Sequence, residues 1–275
     1  MRITPLSAPV GALIEGVDLR EPLSADDFAQ IREAFVDRGV VVVRNQQLDE
    51  AQFVGIARRF GEIESYESTL GQYLNAKQPA IIMLSNIVEN GRKLGVQDGG
   101  QYWHTDRSYV ERPAWSSMLH SKMIPHDEHG TPLGDTMFAS MSAAYDALPT
   151  DEQRALEQLT AQHEYVYRFS KPNDAMPPVE HPVVLRHPLT GRPGIYVNAG
   201  FTAKLLGMSE AESQQKLASL YAHATEDRFV YRHRWQVGDV LMWDNYSTQH
   251  RAVGDYGPDQ HRLMWRTTIQ GFELQ

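Results

Sequence analysis

The sequence predicts a mainly β fold, a sandwich or barrel of short strands with helices packed against it. Two observations support this prediction. Short apolar strand patterns recur along the 275 residues and dominate the last third, whereas helical patterns are few and lie mostly in the first part. The chain is long enough for a substantial core, and no repeat, low-complexity tract or linker divides it. Residues 1–275 are therefore predicted to form one domain.

Helices are predicted where a capping residue precedes apolar positions at helical spacing. The first begins after Ser24 and ends at Gly39. A further short helix is predicted over 140–148. Three more begin at capping boxes, in which a residue and the third residue after it satisfy each other's backbone: Asp49 with Gln52, Thr150 with Gln153, and Ser209 with Glu212.

Strands are predicted from short apolar or β-branched runs. They are expected within 3–20 and at 40–43, 80–84, 103–106, 116–123, 196–197, 228–234, 239–243 and 263–269. A loop over 87–101 leads into the strand at 103–106. Residues 163–182 contain four prolines and show no period, which is typical of a functional lid or a disordered segment.

The composition excludes several classes of function. The 26 basic and 35 acidic residues give a net charge of −9 without a long like-charge run, so neither nucleic acid nor a membrane surface is an expected partner. No apolar run could span a membrane, and the N-terminus lacks the apolar core of a signal peptide. The absence of cysteine excludes disulfides and thiolate zinc sites and is compatible with the cytoplasm, the expected location. The oligomeric state stays open, and a homo-oligomer is compatible with the sequence.

A His-x-Asp pair, His104 and Asp106, is the main candidate for a metal site. Side chains two apart in a strand point to one face, so both can reach one ion. His250, in the polar stretch at 243–250, is the best third ligand. Two histidines and one carboxylate with open positions are typical of non-haem Fe(II) oxygenases. A lone His-x-Asp pair is more often structural, and the remaining histidines are interpreted as surface or structural residues: His120, His126, His129, His163, His181, His187, His223, His233 and His261.

Two arginines near the C-terminus make the metal interpretation stronger. Arg262 and Arg266 are four apart in a predicted strand and should project to one face. Buried guanidiniums need anionic partners, because an unpaired buried charge is very costly. They could pair with internal acidic residues, or one could bind the distal carboxylate of an iron-chelating 2-oxoglutarate.

The sequence resembles the taurine dioxygenase / dichlorophenoxyacetate dioxygenase family over essentially its whole length. The motifs that carry the resemblance are Trp-His-Thr-Asp at 103–106, Gly-Asp-Thr at 134–136, Asn-Ala-Gly-Phe-Thr at 198–202, Trp-Asp-Asn-x-x-Thr-Gln-His at 243–250 and the final arginines. The N-terminal residues 3–6 and 16–19 and Arg-Phe-Gly at 59–61 are also similar.

The resemblance implies a double-stranded β-helix (jelly-roll) core and an Fe(II)- and 2-oxoglutarate-dependent dioxygenase. Such an enzyme uses O2, releases succinate and CO2, and hydroxylates its substrate. His104, Asp106 and His250 match the iron ligands of the family. Thr136 and Arg262 match the positions that hold the distal carboxylate of 2-oxoglutarate. The expected substrate contacts are Arg266, which matches the position for the substrate's acidic group, Phe201, which matches an aromatic wall, and Tyr66, Tyr102, Arg107 and Tyr109 around the pocket.

The sequence also departs from the family pattern. Tyr66 and Gly100 stand where the family places a taurine-contacting His and Asn, which argues against taurine itself. Arg262 follows His250 by twelve positions, one more than expected, so a one-residue insertion is implied around 257–259. The expected substrate is a small organic anion such as a carboxylate, an aryloxyalkanoate or a sulfonate.

Three alternatives remain open from the sequence. The same catalytic core could act on an amino-acid-derived or natural-product intermediate. A zinc or manganese hydrolase could use the same three ligands, although it would leave the arginine pair unexplained. A jelly-roll binding module would need no metal ligands at all.

Overall fold

The computed structural model of the protein describes residues 1–6, 8–97, 100–165 and 176–274. The helices are α1 (Ala25–Arg38), α2 (Glu50–Phe60), α3 (Glu67–Leu70), α4 (Met141–Asp146), α5 (Thr150–Leu156) and α6 (Glu210–Ala224). The strands are β1 (Arg2–Pro5), β2 (Ala12–Glu15), β3 (Val40–Val43), β4 (Ile82–Ser85), β5 (Val88–Glu89), β6 (Arg92–Lys93), β7 (Ser116–Met123), β8 (Thr136–Ser140), β9 (Thr160–His163), β10 (Val179–Pro182), β11 (Val184–Arg186), β12 (Pro193–Ile195), β13 (Thr202–Leu205), β14 (Val230–His233), β15 (Val240–Asp244), β16 (Thr248–Ala252) and β17 (Leu263–Ile269). Within these described ranges, no helix has the length and apolar character that crossing a membrane requires.

Two sheets form the centre of the fold. The larger has the strand order β1-β2-β3-β15-β7-β17-β4, and the smaller has the order β14-β8-β16. All pairings are antiparallel except that of β2 with β3. Apart from β1, β2 and β3, neighbouring strands in both sheets are not consecutive in sequence. The many strands and few helices confirm the expectation of a mainly β fold with flanking helices.

The alternation of side chains along the strands divides the core into three layers. Val40, Val42 and Leu241 of the large sheet pack with Phe138 of the small sheet between the two sheets. Residues of the opposite parity, such as Val41 and Met242, pack against α1 and α2 on the outer face. The outer face of the small sheet packs against α4 and α6. The continuous valine run is buried on both faces, as such runs predict.

Most of the predicted helix boundaries are confirmed. Ser24 caps α1, and Gly39 ends it in the left-handed conformation at φ 68°. The capping boxes that open α2 and α6 are both present. The predicted box at Thr150 is wrong, because Thr150 is already the first residue of α5 and the Gln153 side chain donates to the Tyr145 carbonyl instead.

Several strand boundaries differ from the prediction. Strand β12 ends at Ile195, just before the strand expected at 196–197, although Tyr196 still donates its N–H to the in-register Val183 carbonyl. The loop expected over 87–101 contains the hairpin β5–β6. Strand β16 was not predicted, because its polar sequence gives no apolar run. Half of the irregular segment expected over 163–182, residues 166–175, lies outside the described residues, and its last four residues form β10.

Candidate active site

The backbones of His104 and His250 are joined directly. His104 N–H donates to the His250 carbonyl at 3.0 Å, and His250 N–H donates to the His104 carbonyl at 2.8 Å. His250 lies in the middle of β16, so this pairing fixes His104 against the small sheet. The expectation of a strand over 103–106 is wrong, because His104 forms only this isolated bridge and the chain turns at Asp106.

Side-chain hydrogen bonds hold the segment after the bridge in place of a strand ladder. The Thr105 hydroxyl lies 2.6 Å from the Asn245 carbonyl and 2.9 Å from the Thr248 carbonyl. Asp106 N–H donates to the Asn245 side-chain oxygen at 3.2 Å. These contacts anchor Asp106 to the turn between β15 and β16, which brings its carboxylate beside the two imidazoles.

The three side chains converge on one point. The Asp106 Oδ1 atom lies 3.7 Å from His104 Nε2 and 3.8 Å from His250 Nε2. His104 Nδ1 lies 2.8 Å from the Tyr102 carbonyl, which requires Nδ1 to carry the proton and leaves the lone pair of Nε2 facing Asp106. In the described part of the chain, this is the one group of three such side chains close enough to share a metal ion.

The second oxygen of Asp106 is held from the opposite side. Ser117 donates its hydroxyl to Oδ2 at 2.8 Å, and Arg266 Nη2 lies 2.7 Å from the same oxygen. Arg266 also donates to the Ser117 hydroxyl at 3.1 Å. Of the two alternatives left open for the arginines, pairing with an internal acidic residue therefore holds for Arg266, and Asp106 is its partner.

The electrostatics of the three side chains suit a divalent cation. Burial lowers the pKa of His104 and lowers that of His250 well below its usual value, so both rings are neutral at pH 7. Burial acts to raise the pKa of Asp106, but Arg266 and the two histidines outweigh it and hold the pKa below its usual value. Two neutral imidazoles and one carboxylate therefore face one point with their lone pairs available.

A buried guanidinium, that of Arg262, lies at the other end of the same cavity. Burial lowers its pKa from the usual value against the opposing effects of Tyr256, which is hydrogen-bonded to it, and of Asp255, and no described carboxylate forms an ion pair with it. Its Nη2 contacts the Gly134 carbonyl at 3.4 Å, and its Nε has no hydrogen-bond partner within the described residues. Arg262 precedes β17 and a register shift follows it, so the two arginines do not share one regular strand, although both line the cavity.

Thr136, the first residue of β8, faces the same space. Its hydroxyl oxygen accepts a hydrogen bond from the Trp235 indole N–H at 3.0 Å. Since that bond uses an oxygen lone pair, the hydroxyl hydrogen of Thr136 stays available to an acceptor in the cavity. The absence of a side chain at Gly134 lets Arg262 lie close to the backbone before Thr136. A Cβ at Gly134 would lie 3.1 Å from Arg262 Nε, and the φ of this glycine is +76°.

The cavity between these groups has a volume of about 220 Å³ and is largely apolar. Tyr66, Tyr102 and Phe201, the aromatic residues predicted for the pocket, all line it. Phe201 packs edge-on against His104, with 5.9 Å between ring centroids, and lies 4.8 Å from the ring of Tyr109. Other lining residues are Leu70, Ile82, Leu84, Val96, Arg107 and Leu119.

Gly100, the second departure from the family pattern, lies against the ring of His104. A Cβ at this position would be 2.7 Å from His104 Cε1, and the φ of +81° is one that other residues rarely adopt. Any side chain here would displace the imidazole. The glycine is therefore explained by the fit around His104.

Sequence reasoning missed the residues that position these groups. Ser117 gave no signal, because a serine in a buried strand has many structural roles. Asn245 lies inside a quoted motif, but only the fold shows that its side chain accepts from both Asp106 N–H and the Trp243 indole. Of the histidines interpreted as structural, five are buried and do not line the cavity: His120, His163, His181, His187 and His233.

Comparisons with known proteins give consistent matches. The family model described as "Taurine catabolism dioxygenase TauD, TfdA family" matches residues 2–268. The α-ketoglutarate-dependent 2,4-dichlorophenoxyacetate dioxygenase of Cupriavidus pinatubonensis is 36% identical over 266 residues, which cover 90% of each chain.

Two solved structures are also similar. A taurine dioxygenase from Burkholderia xenovorans superposes with a TM-score of 0.83 at 32% identity, over 98% of this chain and 91% of the other. The structure of AAD-2 in complex with Mn(II) and N-oxalylglycine matches with a TM-score of 0.82 at 29% identity, over 99% of this chain and 98% of the other.

Proposed function

This chain belongs to the TauD, TfdA family, and from that premise we propose that it hydroxylates an aliphatic C–H bond of a small organic anion other than taurine. Membership confirms the family, the jelly-roll core and the oxidoreductase class expected from the sequence. It also confirms the expected dependence on Fe(II), 2-oxoglutarate and O2. A 2,4-dichlorophenoxyacetate dioxygenase among its relatives supports an anionic substrate.

We propose that His104, Asp106 and His250 hold the iron. Support comes from the convergence of two Nε2 atoms and one carboxylate oxygen, all within 4.8 Å of one another, and from the neutral state of both rings. The bound metal, with 2-oxoglutarate and O2, supplies the oxidising chemistry. The protein's own contribution is to orient the donor atoms, through the Tyr102 carbonyl for His104 and through Ser117 and Arg266 for Asp106.

We propose that Arg262 and Thr136 bind the distal carboxylate of 2-oxoglutarate. A buried guanidinium without a carboxylate partner is unfavourable in the folded protein, so an anionic ligand at this point is strongly favoured. The hydroxyl hydrogen of Thr136 adds a second donor from β8. N-oxalylglycine, bound in the similar AAD-2 structure, is likewise a dicarboxylate.

The substrate is proposed to lie between the metal ligands and the aromatic wall. Phe201, Tyr66 and Tyr102 give this part of the cavity its apolar character. Arg266 is proposed to contact the acidic group of the substrate, using donors other than the Nη2 that binds Asp106, because its Nε has no partner within the described residues. A substrate that fills this space would exclude water from it. The exclusion of water would strengthen the contact of Arg266 with the substrate anion and its contact with Asp106.

The single observation that carries the proposal is that a buried His-Asp-His group and the buried guanidinium of Arg262 line one cavity. A zinc or manganese hydrolase would use the His-Asp-His group but would leave Arg262 without an anionic partner. We further propose that residues 1–275 form one dioxygenase domain that acts in the cytoplasm, without a nucleic-acid or membrane partner.

The test is a screen for succinate release with Fe(II), 2-oxoglutarate and O2 over a panel of aryloxyalkanoates, sulfonates, phosphonates and amino acids. We expect substrate-dependent succinate formation that stops when Fe(II) is replaced by Zn(II). Each active acid should lose most of its turnover as the neutral amide or ester. Metal-dependent hydrolysis of an ester or amide without any need for 2-oxoglutarate would instead support the hydrolase.

A further inference from the structure

Arg107 follows directly after Asp106 and has a backbone conformation that is unusual for its residue type. Its φ is +57°, in the left-handed region that glycine and asparagine adopt readily and other residues do not. The other two non-glycine residues with positive φ are asparagines, Asn45 and Asn90, among the residues described. Arginine at this position costs folding free energy, and such strain concentrates at ligand sites.

Arg107 lines the active-site cavity and also the neighbouring groove beside it. Glu64 approaches the guanidinium from the outer side: its Oε2 lies 3.5 Å from Arg107 Nη1, and Glu64 lines the neighbouring groove rather than the cavity. A separation of 3.5 Å is longer than the 2.7–2.9 Å usual for charge-assisted hydrogen bonds. The Glu64 contact therefore orients the guanidinium without using its donors fully.

Arg107 has the Tyr66 side chain as a hydrogen-bond partner, but the described lining of the cavity offers it no carboxylate of its own. Three guanidiniums line the cavity, those of Arg107, Arg262 and Arg266, whereas Asp106 is the one acidic side chain among its described lining residues. Asp106 is bound to Arg266 at 2.7 Å. The Nε of Arg107 is buried and has no hydrogen-bond partner within the described part of the chain. An arginine binds a carboxylate most strongly with two adjacent N–H groups, and Nε supplies one of them.

We infer that Arg107 binds the acidic group of the prime substrate and is the principal determinant of the preference for anions, with Arg266 as the second contact. This inference rests on the proposed function, since it assigns the substrate end of the same cavity. Tyr66 and Tyr109 lie near the guanidiniums of both Arg107 and Arg266. The two guanidiniums therefore share one part of the cavity, where one anion can contact both. In this assignment Arg262 binds the cosubstrate, Arg266 binds both Asp106 and the substrate, and Arg107 binds the substrate.

The test measures binding rather than turnover. Anaerobic protein loaded with Fe(II) and 2-oxoglutarate is titrated with 2,4-dichlorophenoxyacetate and with its primary amide, by calorimetry. The variant is Arg107→Asn, because asparagine tolerates the left-handed conformation and should keep or raise the melting temperature. Arg192→Asn is the control, since Arg192 also has a long ion pair, 3.9 Å from Asp37, and does not line the cavity.

We expect the wild type to prefer the acid over the amide. Arg107→Asn should weaken binding of the acid by about tenfold to a hundredfold, the cost of one charged hydrogen-bonded contact, and change binding of the amide little. Arg107→Lys should recover part of the loss, because it keeps the charge without the planar fork. Arg192→Asn should bind both compounds as the wild type does.

An unchanged acid preference in Arg107→Asn, or no preference in the wild type, would overturn the inference. The absorption band of the 2-oxoglutarate–iron complex is recorded on the same samples. If the band persists while the acid preference is unchanged in the variant, Arg107 is not the anion contact and the proposed function still stands. If the wild type shows neither the band nor succinate release, the proposed function itself fails.

Discussion

His104 and His250 exchange a reciprocal pair of backbone hydrogen bonds, at 3.0 and 2.8 Å, on the residues whose side chains face Asp106. The separation of the two imidazoles is thus set by the backbone rather than by side-chain contacts alone. Because backbone pairing does not depend on the side chain, replacing either ring should leave the bridge and the small sheet intact.

Because the backbone bridge should survive the loss of either ring, replacing the two histidines tests metal binding separately from folding. His104→Ala or His250→Ala should abolish 2-oxoglutarate turnover and remove the anaerobic absorption band of the 2-oxoglutarate–iron complex, while the melting temperature changes little. The expected cause is the loss of one of three metal donors. His129→Ala is the control, because that side chain is 80% exposed and does not line the cavity. Wild-type turnover and an intact band in His250→Ala would show that the third ligand is wrong.

Much of this site was accessible from the sequence, but for reasons that differ between residues. His104 and Asp106 were found by a spacing rule for strands, yet the chain turns there, and their convergence depends on the Thr105 and Asn245 hydrogen bonds. Arg262 was found through the cost of burying a charge, which the structure supports directly. A pair of candidates that the structure brings together therefore came from an incorrect local conformation.

The remaining residues depend on long-range contacts that no local pattern records. Ser117 reaches Asp106 only because β7 lies beside β15 in the large sheet. The partner of Arg266 was missed for the same reason, since Asp106 is 160 positions away in sequence and its carboxylate was assigned to the metal alone. Local sequence patterns predict helices and strands well. That Ser117 and Arg266 both bind the Asp106 carboxylate can be seen only in the folded structure.

The two C-terminal arginines should differ in their effect on 2-oxoglutarate. Losing a buried charge pair costs about 2–5 kcal/mol, or roughly thirty- to several-thousand-fold in affinity. Arg262→Ala should raise the 2-oxoglutarate requirement by that factor, Thr136→Val by less, and Arg266→Ala least. Titration of 2-oxoglutarate against the anaerobic iron band measures this ranking. A larger effect in Arg266→Ala than in Arg262→Ala would mean that the inserted residue before Arg262 has exchanged the two roles.

Arg266 should instead affect the metal. Removing a group that holds a metal ligand typically weakens metal binding by about tenfold to a hundredfold. Arg266→Ala should therefore lower Fe(II) affinity, Ser117→Ala should lower it less, and Arg266→Lys should recover only part because a single ammonium replaces a fork. Arg262→Ala is the control that leaves Asp106 untouched. Unchanged Fe(II) affinity in Arg266→Ala would restrict Arg266 to the substrate.

Gly100 and Gly91 offer a matched pair for testing the fit around His104. Both have positive φ, +81° and +75°, but a Cβ at Gly100 would meet His104 at 2.7 Å, whereas Gly91 has open space around it. Alanine should destabilise the protein by about 1 kcal/mol at either site through backbone strain. Only Gly100→Ala should also weaken Fe(II) binding, measured by metal titration. Equal metal affinity in the two variants would mean that His104 adjusts without loss.

His163 should make the protein less stable in mild acid. It is fully buried, neither ring nitrogen has a hydrogen-bond partner among the described residues, and its aromatic neighbours are His181 and Tyr196. Burial, and then the proximity of His181, lowers its pKa from 6.5 to about 3. The folded state thus keeps the ring neutral while the unfolded state takes up a proton below pH 6.5, so the free energy of unfolding falls as the pH falls from about 6.5 toward 3.

The expected slope from this one group is about 1.4 kcal/mol per pH unit between roughly pH 6 and 4. His163→Leu removes the group, so the stability difference between pH 7 and pH 5 should shrink by about 2 kcal/mol relative to the wild type. Urea unfolding at the two pH values measures it. His129→Leu, at an 80% exposed side chain, should leave the difference unchanged. If His163→Leu kept the full wild-type pH dependence, the ring would have to be protonated in the folded state, with an acceptor close enough to stabilise its charge.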